Sequence, residues 1–251
     1  MSGHSKWKTN KAKKTAADAK KGAAYTKIIK EITVAAREGG NPDTNPRLRT
    51  AIGRARELNM PSDNVKMAIK RGTGELPGVV YETVMYEAYG PGGVAILVEA
   101  LTDNKNRTTA ELRNIMSKKG GNMAGGGSVS WMFTKKGYLS IDRAQAKEEE
   151  LMNIVLDAGA EDMKSDEKNF EITTAVQDFE KVKQALQAKG LNWQIAELTM
   201  VPSSTVKASG GDAKQLLALI DALEEHDDVQ QVYANFDIPD EILEQAAKGS
   251  E

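Results

Sequence analysis

The chain has 251 residues, with 34 Lys and Arg against 36 Asp and Glu, two histidines and no cysteine. The lack of cysteine excludes disulfides and thiolate metal sites, and two histidines are too few for a histidine metal cluster. No apolar run approaches the length that spans a bilayer and the first residues are polar, so the sequence predicts a cytoplasmic protein with no membrane partner.

The net charge of −2 hides an uneven distribution of charge. Residues 1–74 contain 17 basic and 6 acidic residues, a net of +11, and residues 75–251 contain 17 basic and 30 acidic residues, a net of −13. The basic end favours association with a polyanion, nucleic acid above all. A membrane surface is the weaker alternative, because Trp7 is the only apolar anchor in the N-terminal arm.

The first block has the pattern of three helices. Apolar residues at helical spacing predict a helix over residues 18–37, and Asn45 followed by proline predicts the start of a second helix. Ser62 is predicted to cap a short third helix that ends at Gly72. These helices predict a small bundle whose polar faces carry the basic residues.

After a glycine-rich linker at residues 72–78, the pattern changes to strands. Residues 82–88 and 94–101 predict a hairpin, and a helix follows at residues 107–118. Beyond it, apolar residues alternate over residues 128–134, which predicts a strand with one buried face formed by Val129, Trp131 and Phe133.

The chain from residue 135 to 202 predicts strand, helix, strand, strand, helix, strand, the order of the ferredoxin-like motif. A last helix and strand have no partners of their own, so we expect them to complete the preceding block. The predicted fold class is α+β, with an N-terminal three-helix domain followed by two ferredoxin-like α+β domains, the last inserted into the second. The predicted domains are a basic helical domain with a disordered N-terminal arm at residues 1–79, a discontinuous α+β domain at 80–134 plus 203–238, the inserted βαββαβ domain at 135–202, and a tail at 239–251.

No motif in the chain predicts catalysis or a cofactor. His4 and His226 do not form a triad by count, and no glycine pattern matches GxGxxG or GxxxxGK[ST]. Tyr138, Phe170 and Trp193 are candidates for base stacking on one sheet face, but core packing is favoured because this block is acidic. No catalytic residue, metal or cofactor is expected.

The candidate nucleic-acid contacts are the basic residues of the first block. In the arm, Trp7 lies among lysines, where an indole can stack on a base or pack on the bundle. The candidates are Lys6, Trp7, Lys8, Lys11, Lys13, Lys14, Lys20, Lys21, Arg47, Arg49, Arg54, Arg56, Lys66, Lys70 and Arg71.

Seven sequence motifs occur in order along the chain: GHSKW at residues 3–7, YTK at 25–27, EITVAAREGG at 31–40, NPRLR at 45–49, MPSDN at 60–64, IKRGTGEL at 69–76 and YEAYGPGGVAILVEALTDNKNRT at 86–108. These motifs resemble those of the YebC/PmpR family. The resemblance covers essentially the whole chain and departs from the family pattern at residues 9–14 and at Tyr25, where Phe is common.

This resemblance implies a non-enzymatic regulator of gene expression with a helical domain and two α+β domains, conventionally a DNA-binding transcriptional regulator. Relatives that activate mitochondrial translation or are linked to the ribosome imply the alternative, ribosomal or messenger RNA. The acidic α+β domains are then expected to contact the ribosome or other proteins. Charge does not separate DNA from RNA, because Lys and Arg neutralise both kinds of phosphate. The lack of an obvious helix-turn-helix with base-reading side chains leans towards RNA.

Overall fold

The computed structural model describes residues 18–166, 168–239 and 241–243. These residues fall into two compact units. The first, called here the helical unit, contains residues 18–128 and 210–232. The second, called the ferredoxin unit, contains residues 129–209 and the described residues from 233 onwards. The N-terminal arm predicted to be disordered lies outside the described residues, except for its junction with the first helix.

Three helices open the helical unit, as the sequence predicts. They are α1 (Asp18–Ala35), which continues as a 3-10 turn at Ala36–Glu38, α2 (Pro46–Glu57) and α3 (Ser62–Gly72). The side chain of Asn45 caps α2 by accepting a hydrogen bond from the Leu48 backbone N–H at 3.0 Å. The prediction that Ser62 caps α3 is wrong, because Pro61 occupies the cap position with φ −55° and ψ 135° and Ser62 is already helical.

The three helices share a small apolar core. Ile32, Leu48 and Ala55 are fully buried in it, and the Tyr25 hydroxyl donates to the carbonyl oxygens of Leu58 and Asn59 at 3.1 Å. Small residues such as Ala55 let the helices approach closely. The core stabilises the bundle in proportion to the apolar area that it removes from water.

The sheet of the helical unit contains β1 (Glu82–Tyr89), β2 (Ala95–Thr102), β3 (Asn122–Met123) and β9 (Val229–Ala234), in the order β3-β1-β2-β9. The hairpin predicted between β1 and β2 is confirmed as an antiparallel pair from Glu82↔Thr102 to Tyr89↔Ala95. Helices α4 (Lys105–Lys118) and α7 (Gly210–Glu224) pack against each other beside this sheet. Because β2 lies between β1 and β9, seven of its eight residues are buried.

The ferredoxin unit contains a second four-stranded sheet. Along the chain its elements are β4 (Phe133–Asp142), α5 (Glu148–Asp157), β5 (Ala160–Ser165), β6 (Asn169–Thr174), α6 (Phe179–Ala188) and β7 (Trp193–Pro202). The strand order is β5-β6-β4-β7 and every pair is antiparallel. Two further short strands, β8 (Val206–Lys207) and β10 (Phe236–Asp237), pair in parallel.

The α+β fold class is confirmed, with helices first and antiparallel sheets after them. The βαββαβ order predicted by the sequence is that of the ferredoxin unit. The sheet of the helical unit follows a different order, ββαβ and then αβ, so the two sheets do not share one topology. Strand β4 runs continuously through the predicted domain boundary between residues 134 and 135.

One expectation about an aromatic residue is wrong, and the disfavoured alternative of a shared stacking face also does not form. Trp131 was expected in a buried face with Val129 and Phe133, but its residue exposure is 70%. Ser130–Met132 form a 3-10 turn, which breaks the alternation of faces that a strand requires. Nor do the three candidate stacking rings share a face, because Phe170 packs in the core with Leu139 while Tyr138, the next residue along β4, points to the other side.

Replacement of Gly72 by Ala tests the close packing of α3 on α1. An added Cβ would lie 2.6 Å from the Ala36 Cβ and would overlap the Thr33 carbonyl oxygen, so we expect Gly72→Ala to lower the free energy of unfolding by about 1–3 kcal/mol. The control is Gly53→Ala in α2, where no atom lies within 4 Å of the added Cβ. That variant is expected to gain about 0.5–1 kcal/mol from helix propensity. Urea denaturation measures both changes, and equal effects would contradict the packing.

Candidate nucleic-acid interface

The structure describes about half of the predicted nucleic-acid contacts. Lys6, Trp7, Lys8, Lys11, Lys13 and Lys14 lie outside the described residues. Lys20 and Lys21 belong to α1, but their side chains also lie outside the described part. The seven candidates whose side chains are described are Arg47, Arg49, Arg54, Arg56, Lys66, Lys70 and Arg71.

Two of these seven candidates, both arginines, donate to acceptors within the helical domain. Arg54 Nη1 donates to Glu31 Oε1 at 3.1 Å, which links α2 to α1. Arg49 donates to the carbonyl oxygens of Pro42 and Asp43 at 3.0 and 2.8 Å and so holds the loop before α2. Some N–H groups of both guanidinium groups already donate to acceptors within the protein, so fewer remain to bind a phosphate.

The other five cations are exposed, and we call them the bundle surface: Arg47, Arg56, Lys66, Lys70 and Arg71. Arg47 lies 3.9 Å from Glu38, and Lys66 lies 3.4 Å from Asp63 in a pair that is largely exposed on both sides. Such surface pairs contribute little and are easily exchanged for other partners. Among the described residues, Arg56, Lys70 and Arg71 have no carboxylate partner, so their charge is available to a polyanion.

A buried carboxylate, Asp228, joins the bundle to the α+β part of the same unit. Lys30 Nζ of α1 lies 2.6 Å from Asp228 Oδ1, and Arg107 Nη2 of α4 donates to Oδ2 at 2.8 Å. The Thr108 hydroxyl donates to Oδ2 at 2.6 Å. The side chains of Lys30 and Asp228 are only 9% and 3% exposed. Three donors from two helices therefore meet on one carboxylate.

The surroundings of Asp228 favour its ionised form. Burial acts to raise the pKa of Asp228, but the hydrogen bonds from Lys30, Thr108 and Arg107 outweigh it and hold the pKa well below the usual range. Conversely, the hydrogen bond to Asp228 raises the pKa of Arg107 above its usual value. Asp228 and Arg107 are therefore charged near neutral pH.

His226 borders the same cluster. The Asp228 backbone N–H donates to His226 Nδ1 at 3.1 Å, and Nε2 lies 2.9 Å from Glu111 Oε2. Because Nδ1 accepts, the ring proton of the neutral imidazole sits on Nε2 and is donated to Glu111. The side chain of His226 is only 12% exposed.

These residues line a cleft of about 680 Å³. The carboxylate oxygens of Glu111 and Asp228 and a ring nitrogen of His226 lie within 4.8 Å of one another, a spacing that can suit a metal ion. The donor set does not fit one, because both Asp228 oxygens already accept from Lys30, Arg107 and Thr108. Two cations at the carboxylate also repel a third. The cluster is therefore an internal ion-pair network.

No sequence signal pointed to this network. Lys30 and Asp228 are 198 residues apart in the chain, and Arg107 and Asp228 are 121 apart. Arg107 and Thr108 fall in the motif at residues 86–108, but no motif spacing links them to Lys30 or Asp228. Only the fold brings them together.

No helix in the described part of the chain is both long and apolar enough to cross a membrane.

Fold and site together define an α+β protein in which the Asp228 network joins a basic helical bundle to the part of the same unit that contains the sheet. The chain belongs to the TACO1/YebC family: residues 5–75 match the family model described as the TACO1/YebC protein N-terminal domain, and residues 81–236 match that of the TACO1/YebC second and third domain.

Similar proteins carry the name of a regulator. The chain is 55% identical to a "Probable transcriptional regulatory protein" of Syntrophobacter fumaroxidans, over 98% of this chain and 100% of the relative. A protein of the same name from Acidobacterium capsulatum is also 55% identical, over 95% of this chain and 97% of the relative. The crystal structure of a conserved hypothetical protein from Aquifex aeolicus is similar, with a TM-score of 0.76 and 46% identity over 88% of this chain and 92% of that one.

Asp228→Asn tests the network. It leaves the Lys30 ammonium buried without a counter-charge, so we expect the free energy of unfolding to fall by about 3–5 kcal/mol. The matched control is Asp227→Asn, because that neighbouring acid is exposed and bonds Lys30 only through its backbone carbonyl. We expect the control to change stability by less than about 0.5 kcal/mol. Chemical denaturation at pH 7 measures both, and similar losses in the two variants would contradict this assignment.

The stability that Asp228 contributes should also depend on pH. Because the pKa of Asp228 is lowered in the folded state, its stabilising contribution is present above the unfolded value of about 4 and is lost as pH falls below it. The difference in stability between the unaltered protein and Asp228→Asn should therefore be constant from pH 5 to 8 and shrink below about pH 4. A difference that grows on acidification would contradict the ionised state of Asp228.

Proposed function

We propose that the protein is a non-enzymatic, cytoplasmic regulator of gene expression that binds nucleic acid through its helical domain, with DNA as the target of a transcriptional regulator. The observation that carries the proposal is the bundle surface, whose Arg56, Lys70 and Arg71 are exposed and have no carboxylate partner among the described residues. The name shared by the relatives supports regulation of transcription.

Charge explains how this surface would bind. Each Lys or Arg that neutralises a phosphate releases condensed counterions, which makes the binding favourable and strongly dependent on salt. Lys66 and Lys70 lie one turn apart on α3 and therefore point the same way, so they can contact neighbouring phosphates. The arm lysines, Lys6 to Lys14, would add to the same favourable free energy of counterion release.

The absence of enzymatic activity is part of the proposal. The pKa of Asp228 is strongly lowered, and both of its oxygens accept hydrogen bonds, which come from two cations and a hydroxyl. A general base needs a free lone pair within reach of a substrate proton. The perturbed pKa of Asp228 has a structural cause, which removes the main physical argument for catalysis.

A second candidate function is binding to ribosomal or messenger RNA as a translation factor. A recognition helix reads base edges in the major groove with its N-terminal residues. In α3 that position holds Asp63, whose side chain is 88% exposed and would face the phosphates of a duplex. This acid favours a target that is bound through its backbone without insertion of α3 into a groove. If residues of α2 and α3 contact phosphates and no bases, they would bind RNA as well as DNA.

The bundle surface is tested by the triple variant Arg56→Gln, Lys70→Gln and Arg71→Gln. Its control, Lys147→Gln, Lys181→Gln and Lys189→Gln, removes the same charge from exposed positions of the ferredoxin unit. Binding of a DNA duplex and of an RNA hairpin is measured between 50 and 200 mM salt. The bundle variant is expected to flatten the plot of log K against log salt by about 2–3, since each phosphate contact contributes about 0.7–0.9. The same slope in both variants would contradict the proposal.

The choice between DNA and RNA is tested by crosslinking in cells. Recovery of promoter DNA with the protein would support the transcriptional role, and recovery of ribosomal RNA would support the second candidate. Loss of the recovered nucleic acid in the bundle variant, but not in its control, ties either result to this surface.

A further inference from the structure

We infer that helix α4 carries a second phosphate-binding surface, formed by Lys105, Arg113, Lys118 and Lys119, which binds the same nucleic acid as the bundle surface. We call it the α4 surface. This inference rests on the proposed function, and it extends the interface from the basic N-terminal domain into the α+β part of the helical unit.

The first argument is local charge. Residues 104–140 contain seven basic residues, Lys105, Arg107, Arg113, Lys118, Lys119, Lys135 and Lys136, and one acid, Glu111. The net charge of this segment is +6, although the chain from residue 75 onwards has a net charge of −13. A basic segment of this density in an acidic background is typical of a contact with a polyanion.

The second argument is availability. All four residues of the α4 surface are exposed, and none has a carboxylate partner among the described residues. Arg107 shows the contrast, because it is held by Asp103 at 2.9 Å and by Asp228 at 2.8 Å. In α4, therefore, Arg107 is ion-paired within the protein, whereas the four cations of the α4 surface have no carboxylate partner among the described residues.

Helix stability does not account for these cations. Lys118 and Lys119 lie at the C-terminal end of α4, where positive charge complements the helix dipole. Lys105, however, is the first residue of the helix, and the first turn contains no acid. A cation there opposes the dipole and costs about 0.3–1 kcal/mol, so its position calls for another cause. A phosphate contact supplies one.

The third argument is position within the helical unit. Arg107 binds one oxygen of Asp228 and Lys30 of α1 binds the other, which fixes the first turn of α4 beside the bundle. From Lys105 to Lys118 the helix rises about 20 Å, at about 1.5 Å per residue. Five residues turn the helix by about 140°, so Arg113 and Lys118 lie on opposite flanks of α4 and would contact separate stretches of backbone. Because α4 and the bundle belong to the same unit, one nucleic acid can contact the α4 surface and the bundle surface together.

The test is the quadruple variant Lys105→Gln, Arg113→Gln, Lys118→Gln and Lys119→Gln in the full chain. Its control, Lys147→Gln, Lys164→Gln, Lys181→Gln and Lys189→Gln, removes the same charge from exposed positions of the ferredoxin unit. The probes are a 30-nucleotide RNA hairpin and a DNA duplex of the same sequence. For the α4 variant we expect the salt slope to flatten by about 3 and the affinity at 0.15 M salt to fall at least about tenfold. Circular dichroism checks that both variants remain folded.

The outcomes separate this inference from the proposed function. If the bundle variant flattens the slope and the α4 variant behaves like its control, the inference fails while the proposed function stands. If the α4 variant alone flattens it, α4 is the main contact and the bundle surface does not bind, which overturns both the proposed interface and the inference of a second surface beside it. If neither differs from its control, both fail. Polyglutamate is the further probe: a loss of its binding in the α4 variant with unchanged binding of both nucleic acids would assign the surface to an acidic protein and overturn the inference.

Discussion

The Asp228 carboxylate is the contact on which the arrangement of the helical unit depends. It lies just after the last helix of the unit, yet it receives Lys30 from the first helix and Arg107 and Thr108 from α4. A buried pair adds little net stability by itself, but an unpaired charge in that place is costly. The network therefore acts mainly as a constraint: alternative placements of the bundle on the sheet leave Lys30 or Asp228 buried and unpaired.

Internal acids also decide which basic residues remain for a partner. Glu31 engages Arg54, and Asp103 with Asp228 engages Arg107. Lys70 on α3 and Lys118 on α4 have no such carboxylate among the described residues. In α2, Arg54 is held while Arg56 is exposed, and in α4, Arg107 is held while Lys118 is exposed. A count of charge along the sequence cannot make that distinction.

Local features of the sequence predicted the fold well where neighbouring residues determine it. The Asn45 cap and the hairpin of β1 and β2 depend on residues a few positions apart, and both are confirmed. Trp131 was misplaced because the alternation of apolar residues in the sequence does not reveal the 3-10 turn at Ser130–Met132. The Asp228 network escaped prediction because Lys30, Arg107 and Thr108 each lie more than 100 residues from Asp228. The α4 surface was hidden by averaging charge over 177 residues, and a shorter window would have shown it.

The central claim is that Asp228 fixes the bundle relative to α4, so that two basic surfaces are presented in one geometry. The chain contains no cysteine, so spin labels can be attached at Met67→Cys on α3 and Ser117→Cys on α4 without competing thiols. Both positions are exposed and lie outside the proposed contacts. Pulsed electron spin resonance should give one narrow distance distribution, which stays narrow with Asp227→Asn and broadens with Asp228→Asn. A broad distribution in the unaltered background, or an equally narrow one with Asp228→Asn, would contradict the account.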